Sequence, residues 1–215
     1  MTDQDFLWIQ ELAQRRGKTF DGCMGLCDYH FDADDGSVPQ LQQARKYVQH
    51  WKTMQEKNLG LLFWGQPGNG KTFAAACIAN ALIGDRGPFP SSVRMATFGT
   101  ILTRLLALSP QDRERYLQEL CSCDLLILDD FGMERQTEYA SEQVFHIIDS
   151  RYLARKPLIV TTNLSLQSMK NPETLARQRI CDRVLQMCVP VYFDGESLRK
   201  QKARDNLQLY KQITA

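Results

Sequence analysis

Eight consecutive residues, Gly65, Gln66, Pro67, Gly68, Asn69, Gly70, Lys71 and Thr72, follow the pattern G-x-x-x-x-G-K-[ST]. Glycines at these positions let the backbone curl until successive N–H groups point inward, which suits the oxygens of a phosphate chain. A helix opening at Lys71 adds the positive end of its dipole. In that geometry Lys71 reaches the β- and γ-phosphates of a nucleotide, and the Thr72 hydroxyl helps to hold Mg²⁺. The bland alternative is a glycine-rich turn with an exposed lysine; the apolar run before the loop and the alanine-rich stretch after it argue against that.

A second chemical signal is the pair Asp129 and Asp130, which ends the apolar run Leu125 to Leu128. Alone it reads equally well as a strand running into an acidic turn. Beside a phosphate loop, Asp129 becomes a candidate Mg²⁺ holder, because the ion favours hard oxygen ligands and keeps part of its hydration shell. Asp130 then becomes a candidate to orient or deprotonate the attacking water, with Glu134 a weaker substitute. Asn163, at the end of "PLIVTTN", is by itself an ordinary turn residue. Next to the other two motifs, its amide suits a water or a γ-phosphate.

These residues need a scaffold that delivers them to one edge. The run "LQQARKYVQHWKTM" from Leu41 places Leu41, Ala44, Val48 and Trp51 on one helical face, and "LGLLFW" is a short apolar strand ended by Gly65 and Pro67. Helix then follows over 71–83, strand over 93–97, helices through 98–120 and strand over 125–128. A long amphipathic helix over 137–154 leads to strand 158–162, helix 174–187, strand 188–193 and a terminal helix. Strands alternating with helices, and apolar throughout, predict a parallel sheet covered on both faces. Pro190 cannot donate within a ladder, so its strand belongs at a sheet edge. Residues 1–37 are mixed in pattern and end in a linker-like "DADDGSVPQ", giving an N-terminal segment over 1–37 and a nucleotide-binding domain over 38–215.

At 215 residues with 43% apolar and 24% charged content, the composition is that of an ordinary globular protein. No apolar run approaches the roughly 18 residues of a membrane span, and the acidic start "MTDQDFLWIQ" does not resemble a secretion signal. Seven scattered cysteines read as reduced thiols. A cytoplasmic location is the expectation. With 26 basic and 25 acidic residues, overall charge gives no support for nucleic-acid binding, so any such site is a local patch.

Taken in order, "GQPGNGKT", "LLILDDFG", "VTTN", "RICDR" and "GESLR" resemble the AAA+ ATPases of the DnaC/DnaI-type helicase loaders and their sister group, the IstB-type transposition helper ATPases. The resemblance covers roughly residues 40–204. It implies an α/β P-loop NTPase with a five-stranded parallel sheet, helices on both faces and little or no α-helical lid. It implies ATP and Mg²⁺ as cofactors, Lys71 and Thr72 as the Walker A pair, Asp129 and Asp130 as the Walker B pair, and Asn163 as sensor 1. Arg183 resembles an arginine finger offered to the neighbouring subunit, and Arg199 resembles sensor 2. Arg179 lies four residues before Arg183 on the same helical face and shares that candidacy; a surface pair of Arg179 with Asp182 is the plain alternative. Most AAA+ proteins carry Glu where Asp130 stands, so slow hydrolysis is expected. The implied partner is a replicative hexameric helicase on single-stranded DNA. Rivals are a transposase and a nucleotide-dependent adaptor with negligible turnover.

For DNA, loaders of this kind suggest Arg94, Phe98, Arg104, Arg113 and Arg115, with Phe98 offering a stacking face. The alternative is that Phe98 is core and the arginines form a solvated face. Cys23, Cys27 and His30 hint at zinc but lack an obvious fourth ligand, which leaves ordinary cysteines as the default.

Overall fold

In the computed structural model, residues 3–34, 38–84, 91–132, 137–195 and 197–214 are described. Five strands form one sheet: β1 (Gly60–Gly65), β2 (Val93–Thr97), β3 (Leu125–Phe131), β4 (Leu158–Thr162) and β5 (Cys188–Phe193). Their order is β2-β3-β4-β1-β5 and every pairing is parallel. Pro190 therefore lies on an edge strand, as its missing N–H requires.

The two faces carry separate apolar clusters. On one, Phe63, Ile127 and Ile159 meet Leu41, Ala44 and Tyr47 of α2 (Leu41–Gln49) and the alanine-rich side of α4 (Lys71–Ile83). On the other, Leu62, Leu126, Leu128 and Val160 meet α5 (Phe98–Ala107), α6 (Pro110–Ser122), α7 (Glu138–Leu153) and α9 (Leu175–Met187). Burial on both faces explains why these strands are apolar at successive positions instead of alternate ones.

Several details differ from the sequence reading. The helix expected from Leu41 is interrupted at His50, so α2 is followed by α3 (Trp51–Glu56), and Tyr47 is buried on the face where Val48 is half-buried. A short α8 (Leu166–Lys170) precedes α9. The N-terminal segment forms α1 (Asp3–Thr19) and two short 3-10 turns, Met24–Asp28 and Phe31–Ala33. That segment is packed into the domain: Phe20 is 1% exposed and forms a parallel bridge to Met95 of β2, and Cys27 is also buried.

Arg151 has no exposed surface. Its guanidinium donates to the carbonyls of Leu120 at 2.9 Å, Cys123 at 3.0 Å and Pro157 at 2.6 Å, tying the end of α6 to the strands that follow. Burial lowers its pKa. A buried cation persists here because oxygen acceptors replace its water.

Candidate functional site

The phosphate loop joins β1 to α4 and depends on glycine where it passes close to the end of β5 and the residues after it. A Cβ on Gly65, whose φ is 141°, would lie 2.2 Å from the Phe193 carbonyl oxygen; one on Gly68, at φ 92°, would lie 2.1 Å from Ser197 Oγ. Helices α5 to α9 each begin with a Ser or Thr side chain that accepts a backbone N–H of the first turn. Helix α4, like α2 and α3, has no such cap, and its N-cap residue is Gly70 in a left-handed conformation. Its first N–H groups are left for an external acceptor.

Lys71 is 5% exposed, and its ammonium donates to Gly65 O at 2.9 Å and Gln66 O at 2.7 Å. Burial lowers its pKa, opposed by the charges of Asp130 and Asp129. Thr72 Oγ1 donates to Asp129 Oδ1 at 3.0 Å.

The two aspartates sit on a β-bulge. Leu128 pairs with Val160 and Phe131 with Thr162, so Asp129 and Asp130 of β3 stand opposite the single residue Thr161 of β4. An extra residue in one strand turns two consecutive side chains to different surroundings. Asp129 goes inward, 6% exposed, and burial raises its pKa, opposed first by the Thr161 hydrogen bond. Asp130 is exposed at a left-handed φ of 56°, a conformation that short polar side chains tolerate better than most.

One cavity of about 400 Å³ is lined by Pro67, Gly68, Gly70, Lys71 and Thr72 together with Asp130, Asn163 and Arg199. Its other wall is Leu26, Tyr29 and Phe73, the rings of the last two being 5.1 Å apart. The sequence reading missed this apolar wall. Asn80 of α4 fixes it, donating to the carbonyls of Leu26 and Tyr29 at 2.9 Å each. An apolar wall with two aromatic rings suits the flat ring of a nucleotide base.

Gln66 and Asn69 line a different cavity on the outer side of the loop, where the Asn69 amide donates to Phe193 O at 3.2 Å. Arg183 does not line the nucleotide cavity of its own chain. Its Nε donates to Asp149 Oδ1 at 3.0 Å and its guanidinium lies 4.0 Å over the Tyr152 ring, leaving the side chain 35% exposed. Arg179 is exposed. Glu134 lies outside the described residues.

The stacking role for Phe98 is corrected: it is 1% exposed, its ring 6.0 Å from that of Phe131 in the core. It opens α5 directly after β2, and the apolar period of that helix turns it inward. Arg94 is engaged by Glu119 and the Lys18 carbonyl, and Arg104 by Asp21, with its guanidinium 4.9 Å from the Tyr116 ring. These two arginines hold the N-terminal segment against the domain. Arg113 donates to Leu108 O at 3.4 Å, and Arg115 is exposed. The Cys23 thiol faces the carbonyls of Asp21 and Met95, and its pKa is pushed up to about 11, chiefly by burial. Among the described residues no group of three or more His, Cys, Asp or Glu side chains could hold a metal ion, and no helix is long and apolar enough to cross a membrane.

A phosphate loop, an acidic strand end beside it and a polar end on the next strand, all on this parallel sheet, define an ATP-binding P-loop protein of the AAA+ class. A profile of the IstB-like ATP binding proteins matches residues 10–206, and the chain belongs to that family. It is 36% identical to the uncharacterized protein YdaV of Escherichia coli K12 over 124 residues, 57% of this chain and 47% of YdaV. It is 28% identical to the replicative helicase loader DnaC of the same strain over 169 residues, 78% of this chain and 66% of DnaC. The chain thus matches about half of YdaV and slightly under two thirds of DnaC. A crystal structure of the DnaC helicase loader superposes with a TM-score of 0.64 at 25% identity, covering 79% of this chain and 99% of that one.

Proposed function

We propose that the chain is an ATPase of DNA replication that loads or remodels a replicative hexameric helicase on single-stranded DNA and hydrolyses ATP slowly. The observation that carries the ATPase reading is the single cavity shared by Lys71, Thr72, Asp130, Asn163 and Arg199, with Asp129 held beside it. The helicase reading is supported by similarity to DnaC. The ATPase domain spans 38–215, and the segment 1–37 both offers a partner-binding region and lends Leu26 and Tyr29 to the nucleotide cavity.

Lys71 exchanges its two loop carbonyls for β- and γ-phosphate oxygens, and the uncapped N–H groups of α4 receive the rest of the phosphate chain. Thr72 and Asp129 present hard oxygens 3.0 Å apart that fit Mg²⁺, which when bound offsets charge on the phosphates. Asp130 orients the attacking water and accepts its proton, and the Asn163 amide holds the same water. A carboxylate one methylene shorter than Glu, on left-handed backbone, positions that water less well, hence the slow rate. Arg199 meets the γ-phosphate from within the subunit. Arg183 meets the γ-phosphate of a neighbouring copy, so turnover depends on self-association.

Affinity purification from the native cell with a slowly hydrolysed ATP analogue tests the reading; a replicative helicase is the expected companion. Recovery of a transposase instead favours the second reading, an ATPase that assists transposition, for which the family match over 10–206 is the supporting observation.

A further inference from the structure

The last helix carries the charge that the rest of the chain lacks. Helix α10 (Leu198–Thr214) holds five basic residues, Arg199, Lys200, Lys202, Arg204 and Lys211, against one acid, Asp205, a net +4. The chain has 26 basic and 25 acidic residues, so outside α10 there are 21 and 24, a net −3. Spacings of four and seven put Lys200, Arg204 and Lys211 on one face, in a stripe about 16 Å long at 1.5 Å per residue. From Arg199 onward every described side chain of the helix is exposed.

The base of the stripe is built into the domain. Lys200 and Arg204 line a cavity of about 490 Å³ with Gln66, Pro67, Asn69, Gly195 and Ser197, and among the described residues no carboxylate lines it. One residue earlier, Arg199 lines the nucleotide cavity. The Leu198 N–H donates to Gly68 O at 3.0 Å, so the first turn of α10 is joined to the phosphate loop. Tyr210, 65% exposed, offers a ring on which a base can stack.

We propose that α10 is the contact for single-stranded nucleic acid, with backbone phosphates along Lys200, Arg204 and Lys211 and one of them in the cavity at its base. The inference rests on the reading that the chain works on single-stranded DNA, and adds where. The net-negative body repels a polyanion and confines it to the basic helix. Arg94 and Arg104 are committed to the N-terminal segment, through Lys18 and Asp21. One turn of α10 borders both cavities, so any effect of the strand on nucleotide affinity is matched by an equal effect of the nucleotide on the strand.

The test is fluorescence anisotropy of the full chain with a labelled oligothymidylate of about 20 nucleotides, across a salt series. The triple variant Lys200→Ala, Arg204→Ala, Lys211→Ala is expected to bind at least about tenfold more weakly, with its salt slope reduced by about 2, at ~0.7 per lost phosphate contact. The pair Arg113→Ala, Arg115→Ala on α6 is expected to match the wild type within about twofold. Binding by the triple variant equal to wild type overturns the inference while the DNA reading stands. Absence of wild-type binding at low salt overturns both. Equally tight binding of poly-glutamate reduces α10 to a general anion patch and also overturns it. The three side chains are exposed, and circular dichroism checks that the variant is folded.

Discussion

The Thr161 hydroxyl donates to Asp129 Oδ1 at 2.6 Å while accepting the backbone N–H of Asp130 at 3.0 Å. One side chain on β4 thus fixes both members of the bulge that opposes it. Thr161→Val keeps the shape and removes both bonds. ATP turnover is expected to fall about tenfold, with ATP affinity within about threefold of wild type, because Lys71 and the loop are untouched. Parallel measurement of kcat and of nucleotide Kd checks this; loss of affinity in step with turnover counts against it.

Asp129 also makes stability depend on pH. Burial raises its folded pKa above the ordinary carboxylate value, so as pH rises through that window the folded state binds more protons than the unfolded one. Stability from this group is full below the ordinary carboxylate pKa and is lost as pH climbs through the raised value. Nucleotide-free Asp129→Asn, which cannot ionise, is therefore expected to gain in Tm over wild type from acid to neutral pH. Thermal unfolding of both proteins at a series of pH values reads the difference; a constant offset would refute the charge argument.

Asp130 is expected to matter for rate and not for binding. Asp130→Asn should lower kcat at least about tenfold with ATP affinity within about threefold. Identical turnover in the two proteins would favour the nucleotide-dependent adaptor with negligible catalysis.

Arg183 is held at Nε by Asp149 and on its face by Tyr152, with its side chain 35% exposed. Arg183→Ala is expected to lower turnover in the assembled state by about a thousandfold, with self-association intact. Asp149→Asn should produce a smaller loss of the same kind. Turnover at matched assembly, set by light scattering, distinguishes a positioning carboxylate from a restraining one, since the latter predicts a faster enzyme.

Tyr29 is expected to read the base. Tyr29→Ala should weaken ATP about fivefold to tenfold and leave inorganic triphosphate unaffected, as checked by competition binding. Equal losses for both ligands would mean that the residue shapes the cavity as a whole.

The sheet was legible because its strands are short apolar runs with sharp ends, and Pro190 fixed one edge by chemistry alone. Lys71, Thr72, Asp130 and Asn163 could be read from local motifs and Arg199 only from the family resemblance, and the fold brings them to one cavity. Leu26 and Tyr29 could not, since only the long-range hold of Asn80 places them there. The bulge was equally hidden, because "LLILDDF" reads as an unbroken strand until its partner's register is known. Phe98 stayed open between a stacking face and the core when read from the sequence, and the helix periodicity that sends it inside favours the core.

The Phe20 to Met95 bridge has a consequence for how copies can meet. It is reinforced by the Asp21 N–H donating to Met95 O at 3.2 Å, so the N-terminal chain occupies the outer rim of β2. On the opposite rim Pro190 of β5 presents no donor. Both open rims that would invite strand-to-strand stacking and amyloid-like growth are blunted, so copies can crowd together through their helices without zipping their sheets into fibres.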